Sequence, residues 1–147
     1  METTTERRDL SYFQLRLQEF LNQSYPELAK DQESITVKGN LATEMYADAI
    51  KSGNNHLEAS YEANEVLFSD LPFSKMDMLF NVVCEEFNRD IPDNELRSFT
   101  EKMYPICQSI FSQYKLDKDF EDDEMYASLY TELTGTIQLW MDEHLVI

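Results

Sequence analysis

The chain has 147 residues, with 12 Lys and Arg against 29 Asp and Glu and a formal net charge of −17, yet 42% of it is hydrophobic and 12% aromatic. Disordered acidic tails are poor in aromatics, so this composition predicts an acidic shell around a packed core, and it disfavours direct binding to nucleic acid or an anionic membrane. No apolar run approaches the ~20 residues that cross a bilayer, Met1 to Asp9 is polar, and Cys84 and Cys107 lack C-x-x-C spacing, which predicts a cytoplasmic protein with reduced thiols.

Three glycines and four prolines mostly punctuate apolar periodic stretches, the pattern of an all-α chain. In the first stretch Leu10, Phe13, Leu17, Phe20 and Leu21 recur at three- and four-residue steps, with Asp9 as N-cap and Tyr25-Pro26 as the stop. A second helix is expected from Asn40 to Ser52, with Gly53 in the left-handed position after it. Ile35 to Val37, just upstream, reads equally as extended chain or as an early helical turn. A third helix follows over Asn55 to Ser69, and Ser74 with Asp77 opens a fourth over 75–88. Leu96, Phe99, Met103, Ile106, Ile110 and Tyr114 keep helical spacing through Pro105, which predicts a kink or two short helices.

The last helix, from Asp122 onward, carries Tyr126, Leu129, Tyr130, Leu133, Ile137, Trp140 and Met141 as a broad apolar stripe. Glu121, Asp122, Asp123 and Glu124 precede it, where carboxylates suit the positive end of the helix dipole. On its other side Ala127, Thr131 and Gly135 form a ridge beside Glu132, the only charge between Met125 and Met141. So few charges in so acidic a chain predict a helix wrapped by others. Gly135 costs about 1 kcal/mol relative to Ala, which close helix packing would offset. Self-association, or a ligand approaching the ridge, is the alternative, with Glu132 as a semi-buried carboxylate. The expected fold is a single-domain bundle of about six helices around this C-terminal helix, spanning 1–147 with 1–8 flexible.

The octapeptide Tyr130-Thr131-Glu132-Leu133-Thr134-Gly135-Thr136-Ile137 resembles the C-terminal signature of a Bacteroidetes family of short acidic proteins. Leu10-Ser11-Tyr12-Phe13 with Tyr25-Pro26-Glu27, Leu71-Pro72-Phe73-Ser74-Lys75, and Phe111 through Tyr114 to Leu116 resemble the same family in the same order. The resemblance implies association with conjugative elements and no particular activity.

Catalytic patterns are weak. His56 and His144 are the only histidines, far apart in sequence, and each is expected at a helix end. Cys84 and Cys107 follow apolar residues, as buried inert thiols do. Asp117, Asp119 and Glu121 imitate the opening of a calcium loop, but Asp122 stands where the turn needs glycine and Ser128 where a bidentate Glu belongs. No glycine-rich phosphate loop can be built. The sequence therefore predicts a non-enzymatic protein with no catalytic residues, cofactor or metal.

Two function classes remain. In the first, an acidic surface including Glu58, Glu62, Glu65, Glu85 and Glu86 docks a basic protein partner, with Tyr61, Phe68 and Phe73 as aromatic anchors. In the second, the acids mimic DNA and inhibit a restriction-type protein on behalf of a mobile element. The charge is uneven: residues 1–39 sum to −2, 40–90 to −7 and 91–147 to −8.

Overall fold

The computed structural model describes residues 4–144, which form six α-helices joined by short turns, three of them single-turn 3₁₀ helices; no strand occurs among the described residues. The all-α expectation is met. The chain divides into two compact units, Met1–Leu71 and Pro72–Ile147.

The first unit contains α1 (Thr4–Ser24), α2 (Gln32–Lys51) and α3 (His56–Leu67). Asp9 lies inside α1 instead of capping it, residues 4–8 of the segment expected to be flexible are helical, and residues 1–3 lie outside the described residues. The second helix begins eight residues before the expected Asn40. Asp31 is its N-cap, accepting from the Ser34 N–H at 3.1 Å, so Ile35 to Val37 are helical. Gly39 lies inside this helix at a close contact: a Cβ there would run into the side chain of Gln14 on α1 and stand 3.3 Å from the Gln14 backbone N and Cα. At the far end Gly53 has φ +98°, the Asn54 N–H reaches the Ala49 carbonyl at 3.0 Å, and the Gly53 N–H reaches Ile50 at 3.1 Å. This paired closure satisfies two of the carbonyls a helix end leaves open.

Ala42, Ala49, Ala59 and Ala63 are buried between α2 and α3, and small side chains let the two backbones come close. Little interior volume is left for larger residues. The core of this unit is accordingly thin: Phe13, Leu17 and Leu21 from α1 meet Ile35, Ala42, Ala63 and Leu67, with Ala29 below.

The second unit contains α4 (Lys75–Glu86), α5 (Leu96–Phe111) and α6 (Tyr126–His144). Ser74 caps α4 as expected, accepting from the Asp77 N–H at 3.0 Å. The fifth helix runs as one element across Pro105, so the alternative of two short helices is not what forms. Its buried face explains why: Phe99, Met103, Cys107 and Phe111 continue one apolar stripe across the proline, and burying each large side chain is worth roughly 1.5–3 kcal/mol. Leu79, Val82, Val83 and Phe87 from α4, Leu129, Leu133 and Ile137 from α6, and Phe120 from the preceding turn complete a core of large side chains. Helices α4, α5 and α6 each pack against the other two.

The packing reading of the α6 ridge is corrected. Ala127, Thr131, Glu132 and Gly135 are all exposed, and a Cβ at Gly135 would meet nothing within 4 Å. The helix is covered on its apolar face only, so Glu132 is not semi-buried and Gly135 does not serve close packing within the chain. On this outer face the threonine hydroxyls bond back to their own helix: Thr131 donates to the Ala127 carbonyl at 3.0 Å and Thr136 to that of Glu132 at 2.8 Å.

Candidate interaction surface

Helix α3 presents the sharpest surface feature. It starts at a capping box in which the Asn55 side chain accepts from the Glu58 N–H at 2.8 Å and Glu58 accepts from the Asn55 N–H at 3.0 Å. This fixes the rotation of the helix. Ala59, Ala63 and Leu67 point inward, so Leu57 and Tyr61, one turn apart, point out, 78% and 66% exposed. Two turns further on, Phe68 stands at the C-cap on nearly the same bearing, about 16 Å from Leu57 along the axis. Glu58, Glu62 and Glu65 occupy the flank beside this apolar line, all exposed.

Phe68 is the fixed end of that line. Phe20 packs edge-on against it at 5.0 Å and the Arg16 guanidinium lies 5.7 Å from its ring centre, so Phe68 is half-buried and held. Together with Tyr61, Asn64, Glu65 and Ser69 it lines a shallow groove of about 380 Å³. Lys38 donates to the Ser69 carbonyl at 3.0 Å and tethers the groove's end to α2.

The rest of the first unit repeats the theme. Tyr12, Leu15, Phe20, Leu28, Val37, Leu41, Met45 and Ile50 are exposed in addition to Leu57 and Tyr61, whereas the second unit exposes only Ile106, Met125 and Leu139 among its described large apolar residues. Val37, Leu41 and Met45 recur every four residues on α2 and form a line of their own.

The remaining predicted acids serve differently. Glu85 and Glu86 lie on α4, in the second unit. The Tyr130 hydroxyl is 2.7 Å from Glu85 Oε2 and 3.0 Å from Glu86 Oε2, donating across from α6 to the carboxylate pair. Burial, then the two adjacent acceptors, push the Tyr130 phenol far above its ordinary range. Nothing in the octapeptide hints at this clamp, since its acceptors lie 44 and 45 residues away. Phe73, expected as an anchor, packs against Phe120 at 5.3 Å and belongs to the second core.

A second cleft of about 350 Å³ is lined by Ile91, Glu95, Ser98, Phe99, Lys102 and Trp140. The Lys102 ammonium sits 4.9 Å from the centre of the Trp140 ring, and His144 stacks on that ring at 4.3 Å. Both histidines stand at helix ends as expected: His56 opens α3 and pairs through Nδ1 with the Tyr46 hydroxyl at 2.8 Å, and His144 closes α6 with Nδ1 2.9 Å from the Trp140 carbonyl. Both cysteines are free, and burial pushes the Cys107 thiol up to about 11. Asp117 and Asp119 belong to a turn, with the Asp119 N–H donating to Asp117 Oδ1 at 3.1 Å. No described group of three or more His, Cys, Asp or Glu side chains could hold a metal ion, and no described helix is long and apolar enough to cross a membrane.

Fold and surface define an all-α acidic protein of two small helical units, one of which carries an apolar line flanked by carboxylates. The chain belongs to a named family: the model of the domain of unknown function DUF1896 matches residues 5–146. It is similar to protein PG0816 from Porphyromonas gingivalis, known from a crystal structure, at 37% sequence identity and a TM-score of 0.72 over 99% of both chains. No curated protein matches it.

Proposed function

We propose that this protein is a non-enzymatic protein–protein interaction module that meets its partner through the first unit, with the α3 face as the central contact. The observation that carries this reading is the apolar line Leu57–Tyr61–Phe68 beside Glu58, Glu62 and Glu65. Aromatic anchors that lose little side-chain entropy, set among groups that repel wrong partners, are what protein docking requires. An exposed Leu at 78% and Tyr at 66% on neighbouring turns gain by being covered. Mimicry of DNA is the weaker reading, because a carboxylate array that replaces phosphates has no use for an apolar line through it. The free thiols of Cys84 and Cys107 fit a reducing, cytoplasmic setting.

A photo-crosslinking residue placed at Tyr61, and separately at the exposed Lys115 of the second unit, tests the proposal in cells. Discrete protein adducts at position 61 and none at 115 are expected. Equal adducts at both positions, or none at 61, would overturn it.

A further inference from the structure

We infer that the partner element seated on α3 is a cationic amphipathic α-helix. The inference rests on the reading of α3 as the contact face and names what covers it. Leu57, Tyr61 and Phe68 make a straight apolar line about 16 Å long, the length of three helical turns. A ligand helix with apolar residues at i, i+4 and i+7 or i+11 meets such a line with matching spacing. The groove between Tyr61 and Phe68, whose Phe68 wall is held by Phe20 and Arg16, accepts one larger side chain at a fixed place. Glu58, Glu62 and Glu65 run along one flank, so Lys or Arg on one edge of the ligand helix would face them while its apolar edge covers Tyr61.

Other occupants fit less well. A strand has no exposed sheet edge to join, since the described residues contain no strand. A second copy of this chain brings the same charge sign: the first unit has six basic against thirteen acidic residues, a net −7, and would set carboxylates against Glu58, Glu62 and Glu65. Nucleic acid meets the same repulsion without gaining from the apolar line.

The test is the binding of a dye-labelled model helix built from Leu and Lys with Leu at i, i+4, i+7 and i+11, followed by fluorescence anisotropy. Its control is a peptide of the same composition shuffled to abolish the stripe. The patterned peptide is expected to bind at least about tenfold more tightly than the shuffled one, and Tyr61→Ala to weaken it by about tenfold, one decade being 1.4 kcal/mol. Glu58→Gln, Glu62→Gln and Glu65→Gln together should weaken it further and flatten its dependence on salt; Gln at position 58 keeps the capping box. Neutralising Glu121, Asp122 and Asp123 in the second unit removes as much charge and should leave binding unchanged. Equal binding of both peptides, indifference to Tyr61→Ala, or an equal loss from the second-unit substitutions would each overturn the inference. If the peptide fails while crosslinks at position 61 persist, the cationic-helix inference falls alone. If the crosslinks fail too, the contact-face reading falls with it.

Discussion

The two units spend their apolar residues in opposite ways. In the second, Phe87, Phe99, Phe111, Phe120, Leu129, Leu133 and Ile137 converge in one core and only three described large apolar side chains remain exposed; in the first, alanines and Gly39 fill the helix seams and ten remain exposed. Both units have three helices of ordinary length, so the difference is not one of secondary structure. It lies in what separates the helices. Small residues bring α2 and α3 together, while Val37, Leu41, Met45 and Leu57 sit on the outer sides of those helices. Large residues hold α4, α5 and α6 apart and fill the space. The second unit buries most of its large apolar residues, and the first leaves many of its own at the surface, where the proposed function puts a partner.

Leucine truncation should draw this contrast most strongly. Leu133→Ala, at a fully buried position, is expected to cost about 2–5 kcal/mol in denaturant unfolding, whereas Leu57→Ala should change stability by less than about 0.5 kcal/mol. Equal effects would break the comparison.

The glycines give the next largest effect, with opposite signs. Gly39→Ala sets a methyl against Gln14 and should destabilise by about 1–3 kcal/mol despite the better helix propensity of alanine. Gly135→Ala meets nothing and should stabilise by up to about 1 kcal/mol. A destabilising Gly135→Ala would show that the α6 ridge is covered after all, by another molecule.

Smaller effects come with pH. The groups whose titration is raised by burial, Cys84, Cys107, Tyr126 and Tyr130, all belong to the second unit. A folded pKa above the unfolded value means that folding favours the protonated form, so the contribution is complete below the unfolded pKa and is lost as pH rises. For Cys107 the loss runs from about 9.0 to about 11, and for Tyr130 it begins above 10.0. Unfolding midpoints should therefore fall on the alkaline side, with near-ultraviolet signals of Trp140, the only tryptophan, lost together with the second core. Tyr130→Phe removes the clamp to Glu85 and Glu86, costing about 1 kcal/mol at neutral pH, and weakens the alkaline fall. A flat profile to pH 11 would contradict the burial of Cys107 and the clamp at Tyr130.

Much of this molecule is legible residue by residue. Ser74 and Asp77, Gly53, Asn55, and Tyr25-Pro26 mark helix ends through bonds made within a few residues, so the sequence alone determines the all-α class, the order of the helices and most of their ends. It also places Glu58, Glu62 and Glu65 along one helical flank, and Tyr61 among them. Where it misleads, the deciding partner is distant. Gly39 gives no sign of a close contact until Gln14 is brought against it, and Pro105 reads as a kink or a join between two short helices until Phe99, Met103, Cys107 and Phe111 are seen to share one core. The absence of charge on α6 looks like burial, but threonine hydroxyls bonded to their own helix make a neutral face equally content in water.

Only the tertiary structure decides which apolar faces find a partner within the chain. A periodic stripe states that a helix has an apolar side, and coverage of that side depends on helices many residues away and on how closely small or large side chains let them approach. That is why Leu57 and Leu133, alike in their helical spacing, end at 78% and 0% exposure, and why the acidic shell over the first unit is broken by an apolar line.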